Sequence, residues 1–185
     1  LEALAENRIF KDSHAKLPDT AEAGPAFRSM VADLRGGTPG TLVLVLHRGL
    51  ERLLDLVPDI PVLHLVRDPR DVARSAIGMG WAGHVYYGAR IWLQSEEEWE
   101  RVTPRLAEDQ SLELRYEPLV HDPEAVLGEL CSFLGERYDP DMLSYSERST
   151  YDRPDASLTE QWRKKWSPHE LSVTEPLFGD LLVRR

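Results

Sequence analysis

Arg67 and Ser75 are residues whose types and spacing point to the binding of an anion. Arg67 follows Val62–Val66, an apolar run of strand length. Asp68 and Pro69 then predict a helix start, because an aspartate caps free backbone N–H groups and proline suits the first helical position. Ser75 falls about two turns into that helix, so a guanidinium and a hydroxyl can converge on one anion at a strand's carboxyl end. The alternative is that Arg67 pairs with a carboxylate and Ser75 faces solvent.

The elements that must position this pair indicate an α/β fold. Val62–Val66 is apolar on both faces, which predicts a strand of a parallel sheet with helices on both sides. Leu112–Tyr116 reads as a neighbouring strand, and a helix over Pro123–Leu134 follows it. His47–Val57 is an amphipathic helix before the first strand. This order predicts a parallel sheet flanked by helices, in a single domain over residues 1–185.

The rest of the chain is predicted mainly from periodicity and branching. A long helix is expected over Ala82–Arg101, with the acidic run Glu96–Glu98 on a solvated face. Four further predictions concern the first 46 residues: a helix over residues 1–10, a loop over 11–26, a helix over Phe27–Leu34 and a strand over Leu42–Leu46.

The glycine-rich stretch Arg35–Thr41 is the obvious candidate for a phosphate loop, but its context differs from one. A phosphate loop follows a strand and opens a helix, whereas this stretch follows a predicted helix and precedes a predicted strand. It also lacks the usual lysine. We therefore interpret it as a connection, and the missing G-x-x-x-x-G-K-S/T pattern argues against a P-loop kinase.

Composition narrows the class of protein. The chain has 185 residues, of which 42% are hydrophobic and 29% charged, which suits a globular domain with a core. Its net charge of −10 argues against a nucleic-acid partner. No apolar run approaches the ~20 residues of a membrane span, and no signal peptide is apparent. Cys131 is the single cysteine and lies in an apolar helical pattern, so we expect a small core residue in a reducing, cytoplasmic setting.

Two segments resemble one enzyme family. LVRDPRDVARS, at residues 65–75, resembles the 3′-phosphate-binding segment of sulfotransferases that use 3′-phosphoadenosine 5′-phosphosulfate (PAPS), the bacterial and tyrosylprotein branch in particular. RYEPLV at residues 115–120, followed by Asp122-Pro123-Glu124 and Phe133-Leu134-Gly135, resembles a later segment of the same family. The resemblance covers residues 50–145. It implies a P-loop-like three-layer α/β fold and sulfuryl transfer from PAPS, which leaves adenosine 3′,5′-bisphosphate (PAP).

The resemblance also implies roles for individual residues. Arg67 and Ser75 would hold the 3′-phosphate, and Tyr116 would contact the nucleotide. Residues 160–166, EQWRKKW, are the most basic and aromatic-rich segment of the chain. This segment resembles the basic segment that folds over the nucleotide in relatives. The resemblance implies that Trp162, Arg163 and Lys164 contact the nucleotide.

The catalytic base has only weak candidates. Transfer to a hydroxyl or amine needs a base near the acceptor, and His47 and His84 are the candidates, since His64 alternates within the core strand and is expected to be a satisfied buried histidine. The histidines form no metal-ligand spacing with cysteine or aspartate, so we predict no metal.

The chain departs from the family at one point. The family's Pro-Arg/Lys-Ser-Gly-Thr-Thr loop, which holds the 5′-phosphosulfate, does not occur in this sequence. Because the sequence begins at Leu1, we expect residues to be missing before it. The alternative function is a nucleotide-binding module that binds PAP without catalysis. The acceptor substrate and the oligomeric state are left open.

Overall fold

The computed structural model describes residues 22–37, 40–147, 153 and 155–185. The chain forms two compact units, which divide between Ile60 and Pro61. The helix predicted over residues 1–10 lies outside the described residues. The single domain predicted over residues 1–185 stays a prediction.

The first unit contains two helices. Helix α1 spans Ala23–Arg35 and ends at Gly36, whose φ of 57° is left-handed and suits glycine. It confirms the helix predicted over Phe27–Leu34, but the loop predicted over residues 11–26 is wrong from Ala23 onward. Pro25 is tolerated there because the first turn of a helix has no N–H bond to lose. Helix α2 spans Leu50–Leu56, later than predicted, because Gly49 precedes it in a left-handed conformation.

The strand predicted over Leu42–Leu46 is wrong. Residues 41–46 adopt neither helix nor strand, and the side chains of this apolar run are exposed, with Val45 at 78%. Branched residues favour extended backbone, but a strand also needs a hydrogen-bonded neighbour. The described residues of the first unit contain no strand that could pair with it.

The second unit contains a two-stranded parallel sheet, which confirms the α/β fold class. Strand β1, Val62–Val66, pairs with strand β2, Ser111–Arg115, in the register Val62 to Ser111 and Val66 to Arg115. Val62 and Val66 are buried, whereas Leu63 is 37% and Leu65 49% exposed. The face of β1 that carries Leu63 and Leu65 is therefore only partly covered by the described residues. An apolar run shows that both faces are apolar, not that both have a partner.

Two helices in close contact follow β1. Helix α3 spans Pro69–Gly78 and helix α4 spans Val85–Val102. They meet at Gly88, where an added Cβ would lie 2.5 Å from the carbonyl oxygen of Ala73. The main apolar core grows from this contact, and its buried members are Ala73, Val85, Ala89, Trp92, Trp166 and Phe178.

We expect Gly88→Ala to destabilise the protein by about 1–3 kcal/mol, because a methyl group there collides with backbone, which cannot rotate away. Gly128→Ala is the matched control. It also lies inside a helix, but its added Cβ would meet nothing within 4 Å, so the helix propensity of alanine should make it neutral or slightly stabilising. Urea unfolding of both variants tests this. Equal stability of the two would show that α3 and α4 separate at little cost.

The remaining helices follow β2 and extend to the end of the chain. Helix α5 spans Tyr116–His121 and α6 spans Pro123–Leu134; Asp122 caps α6 and Gly135 ends it in the left-handed conformation, as predicted. Cys131 is 3% exposed, which confirms it as a small core residue. Segments of 3-10 helix lie at Thr103–Arg105, before β2, and at Pro140–Glu147 and Ala156–Leu158, after α6. The last three helices are α7 at Trp162–Lys165, α8 at Pro168–Phe178 and α9 at Leu181–Arg184.

The prediction that the acidic run on α4 lies on a solvated face is wrong for Glu96, although Glu97 is exposed. Glu96 is 3% exposed. Its carboxylate accepts hydrogen bonds from His64 Nε2 at 3.1 Å and Arg185 Nε at 2.6 Å. His64 stacks on Trp99, with ring centroids 4.2 Å apart, and its Nδ1 lies 3.2 Å from Glu113 Oε2. The expectation that His64 is a satisfied histidine is confirmed, and its partners are Glu96 and Glu113.

Within the described ranges, no helix has both the length and the apolar character that crossing a membrane requires.

Candidate functional site

The turn from β1 into α3 has the local structure that its residue types predict. The Asp68 carboxylate accepts a hydrogen bond from the backbone N–H of Arg70 at 2.8 Å, and Pro69 occupies the first turn of α3. A tie to the second strand adds to this cap, because the backbone N–H of Asp68 donates to Glu117 Oε1 at 3.0 Å. This hydrogen bond links the two segments that follow the carboxyl ends of β1 and β2, next to Arg67 in the sequence. Sequence analysis did not select Glu117, and nothing local to it signals this role.

Arg67 is held in place but not satisfied. Its guanidinium lies over the ring of Tyr116, with Cζ 4.2 Å from the ring centroid, and its Nη2 donates to the carbonyl of Leu158 at 2.8 Å. Its Nε is buried and has no hydrogen-bond partner among the described residues. A buried N–H without an acceptor is costly, and it marks a place where a bound anion can accept. The predicted alternative, that Arg67 simply pairs with a carboxylate, leaves this atom unexplained.

Arg67 and Ser75 line one cleft, as their spacing predicts. The cleft has a volume of about 360 Å³ and runs along α3 to the loop and helix around Leu158–Lys165. Its described lining contains three cationic side chains and a single carboxylate. The lining residues are Arg67, Asp71, Arg74, Ser75, Ile77, Gly78, Leu158, Gln161 and Lys165. In a chain with a net charge of −10, this local excess of positive charge favours an anionic ligand.

Asp71 is the acidic member of the cleft and is 2% exposed. One carboxylate oxygen, Oδ1, accepts a hydrogen bond from the backbone N–H of Trp162 at 2.9 Å. The other, Oδ2, is buried without a partner among the described residues. Burial raises the pKa of Asp71, against the opposing effects of the backbone N–H groups of Trp162 and Glu160 and of the charge of Arg67. Asp71 was not among the predicted site residues. It lies four positions before Ser75, and the two residues are therefore on the same side of α3.

Trp162 is part of the scaffold beside the cleft. Its ring lies under the guanidinium of Arg70, with Cζ 3.5 Å from the centroid, and under that of Arg163 at 4.6 Å. Arg70 is itself fixed by Asp68 and by Glu175 Oε1 at 3.1 Å. Burial alone would lower the pKa of Arg70, but hydrogen bonds to these two carboxylates and their charges outweigh it, so the pKa is raised. Trp162 therefore joins α3, α7 and α8.

The basic segment presents different residues to the cleft from those predicted. Gln161 and Lys165 are in the cleft lining, and the ammonium group of Lys165 donates to Gln161 Oε1. Arg163 instead pairs with Glu160 at 2.9 Å, and Lys164 is exposed. A spacing of four residues puts positions 161 and 165 on one side of the short helix α7. That spacing is visible in the sequence, but it becomes informative only once the helix is known.

The two histidine candidates lie in different places. His84 caps α4, and its Nδ1 accepts the backbone N–H of Tyr86 at 3.1 Å. His47 lies in the turn before α2, in the first unit. The assignment of a catalytic base stays a prediction.

Tyr116 lies between two clefts. It is the first residue of α5, not the last of β2 as predicted, because the chain turns helical directly after Arg115. It lines a second cleft of about 270 Å³, which shares Leu158 with the cleft around Arg67. The lining of this second cleft comprises Tyr116, Leu119, Val120, Tyr145, Arg153, Asp155 and Leu158.

Comparisons with known proteins agree on one family. Residues 6–140 match the model of a sulfotransferase family. The chain is similar to the solved "Sulfotransferase Domain from the Curacin Biosynthetic Pathway", with 24% identity and a TM-score of 0.59 over 71% of this chain and 56% of that one. It is also similar to the "Sulfotransferase Domain from the Synechococcus PCC 7002 Olefin Synthase", with 23% identity and a TM-score of 0.52 over 68% of this chain and 53% of that one. No curated protein matches significantly. The chain thus spans just over half the length of the two solved domains.

Proposed function

We propose that this chain, which belongs to the sulfotransferase family, transfers a sulfuryl group from PAPS to a hydroxyl or amine acceptor. The observation that carries the proposal is the cleft at the end of β1. Arg67 and Ser75 both line this cleft, and the buried Nε of Arg67 has no hydrogen-bond partner among the described residues. In PAPS the sulfuryl group is carried on the 5′-phosphate, and a separate 3′-phosphate is available for recognition. That 3′-phosphate is the group we assign to this cleft.

The residues of the cleft suit a phosphate group. The guanidinium of Arg67 can direct N–H donors at phosphate oxygens, and its stacking on Tyr116 fixes the plane of the donors before a ligand arrives. The Ser75 hydroxyl supplies a neutral donor from α3. Arg74 and Lys165 add charge at the rim. Trp162, Arg163 and Lys164 keep their predicted place over the nucleotide as part of this proposal, with Lys165 and Gln161 as the members of that segment that line the cleft.

The chemistry proposed for the protein is positioning and charge stabilisation. Sulfuryl transfer moves a group in line between two oxygens, or between an oxygen and a nitrogen, much as phosphoryl transfer does. Holding the 3′-phosphate fixes the distant end of the donor and so aligns its reacting end with the acceptor. The alternative, a module that binds PAP without catalysis, shares this binding site and differs only in the transfer step.

We expect the protein to bind adenosine 3′,5′-bisphosphate at least about tenfold more tightly than AMP, which has no 3′-phosphate. A charge-assisted hydrogen bond to a partly buried phosphate contributes roughly 1.5–3 kcal/mol. Calorimetry with both nucleotides measures the gap, and adenosine 5′-diphosphate controls for total charge. Equal affinity for the three nucleotides would contradict the assignment of the cleft to a 3′-phosphate.

Catalysis is tested separately from binding. The full-length protein is incubated with PAPS and a panel of phenols, sugars and amines, and release of adenosine 3′,5′-bisphosphate is followed. Release that depends on an acceptor supports the sulfotransferase. Tight binding with no release for any acceptor of the panel favours the binding module.

A further inference from the structure

Two buried polar atoms of the cleft each lack a partner, and their chemistry is opposite. Arg67 Nε is a donor without an acceptor, and Asp71 Oδ2 is an acceptor without a donor among the described residues. Both residues line the cleft to which we assign the 3′-phosphate. A phosphate alone satisfies only the first, since its oxygens accept from Arg67 but repel an ionised carboxylate. A phosphate together with one proton satisfies both.

We propose that Asp71 takes up a proton when a phosphate group enters the cleft and then donates a hydrogen bond from its carboxyl group to that phosphate. The inference rests on the proposed function and adds to it a proton-linked affinity for the nucleotide. The step is a simple protonation: one proton moves from solvent to Asp71 Oδ2, and no covalent bond to the ligand forms.

One hydrogen bond fixes the orientation of the Asp71 carboxyl group. Its Oδ1 is already engaged by the backbone N–H of Trp162 at 2.9 Å, so the carboxyl group has a fixed orientation. The proton would go to the oxygen that is not engaged. The side chain is 2% exposed, so water does not screen a negative charge there from a neighbouring phosphate.

The charges around Asp71 favour the same outcome. Burial already raises the pKa of its carboxyl group, and the charge of Asp68 adds to this, while the charge of Arg67 opposes it. From its own helix Arg74 lines the cleft, and from α7 Lys165 does so. A bound phosphate would pair with these cations and add a negative charge near Asp71. Both effects favour the protonated form of its carboxyl group over the ionised form.

The other helices packed on α3 contribute scaffold there. Helix α4 meets α3 through Gly88, Val85 and Ala89, which are apolar. From α8, Glu175 is engaged by Arg70. Among the described residues, the charges that act on Asp71 are those of Arg67 and Asp68, directly after β1, and Lys165 of α7 lines the same cleft.

The test compares the wild type with Asp71→Asn in calorimetric titrations of adenosine 3′,5′-bisphosphate between pH 6 and pH 8. Each pH is measured in two buffers of different ionisation enthalpy, which gives the number of protons taken up. Asparagine keeps an oxygen for the Trp162 N–H and carries a permanent N–H donor in place of the carboxyl proton. Because the ligand's own ionisation is common to both proteins, the difference between them reports Asp71.

We expect the wild type to take up more protons than Asp71→Asn, by up to one per ligand bound. The ratio of the variant's affinity to that of the wild type should be at least about tenfold larger at pH 8 than at pH 6, because the wild type must take up its proton from a solution that holds fewer protons. Asp109→Asn is the matched control: it removes an exposed carboxylate at the amino end of β2, at the opposite edge of the sheet, and should behave as the wild type.

The possible failures are distinguishable. Binding with no extra proton uptake and no pH-dependent gap would mean that Asp71 stays ionised, with water serving its second oxygen, and would overturn the inference alone. Absence of bisphosphate binding at every pH would overturn the proposed function and the inference with it. If Asp71→Asn does not fold, proton uptake by the wild type beyond that of the phosphate's own ionisation decides the matter, and uptake no greater than that overturns the inference.

Discussion

Replacing Arg67 with alanine should lower the affinity for adenosine 3′,5′-bisphosphate by roughly 10- to 100-fold. This range corresponds to the loss of one charge-assisted contact, roughly 1.5–3 kcal/mol, at a partly buried site. The Nε of Arg67 is a buried donor that has no acceptor among the described residues. Calorimetric titration of the bisphosphate measures the loss directly.

The same substitution should affect donor binding more than turnover. The 3′-phosphate is remote from the transferring sulfur, and its charge is similar in the ground state and the transition state. An interaction that is uniform in this sense changes KM for PAPS far more than kcat. A fall in kcat as large as the rise in KM would instead place Arg67 at the reacting group and contradict the assignment to the 3′-phosphate.

Two controls separate binding from scaffold effects. Arg67 also donates to the carbonyl of Leu158 and stacks on Tyr116, so thermal unfolding of Arg67→Ala must accompany the titration. Arg101→Ala removes an exposed arginine from the last turn of α4 and should leave affinity unchanged. Arg67→Lys keeps the charge but loses the planar fork of donors, and should bind with intermediate affinity.

Local chemistry explains which parts of the fold could be predicted. Asp68 and Pro69 determine the start of α3 through contacts within two residues, and Asp122 and Gly135 set the ends of α6 in the same way. The pairing of β1 with β2 followed from the order of strand and helix along the chain. Each of these features depends on neighbours in sequence or on a general rule of chain connection.

The errors concern features decided by distant partners. Leu42–Leu46 has the composition of a strand, but the described residues of its own unit contain no strand that could pair with it. Glu96 reads as a surface residue within an acidic run, and its partners, His64 and Arg185, are 32 and 89 residues away. Lys165, which was not among the predicted site residues, lines the cleft, because its position on α7 places it there and the preceding loop gives no indication of that position. Sequence spacing and the family resemblance together selected Arg67 and Ser75, which line the same cleft, while Asp71 required knowledge of burial.

Replacing Glu96 with glutamine should destabilise the protein by about 3 kcal/mol at pH 7. Its carboxylate is the more buried of two acceptors that His64 and Arg185 share, the other being Glu113. The side chains of His64 and Arg185 are only 13% and 16% exposed. Breaking a buried ion pair leaves the partner charges poorly compensated, which is far more costly than the loss of a surface pair. Glu97→Gln, one position along the same helix and exposed, is the matched control and should change stability by no more than about 0.5 kcal/mol. Urea unfolding of the three proteins provides the comparison.

The pH dependence of this difference identifies its electrostatic origin. Burial alone would raise the pKa of Glu96, but hydrogen bonds and charges from His64 and Arg185 outweigh it, so the pKa lies below its ordinary value of 4.5. A carboxyl group whose pKa is lowered by folding stabilises the folded state above the unfolded value, and this stabilisation is lost as the pH falls through the folded pKa. The gap between wild type and Glu96→Gln should therefore be full at pH 7 and shrink below pH 4.5, as the wild-type carboxylate becomes protonated. A gap that stays constant down to pH 3 would show that the glutamine perturbs packing around Trp99 and that the ion pairs contribute little.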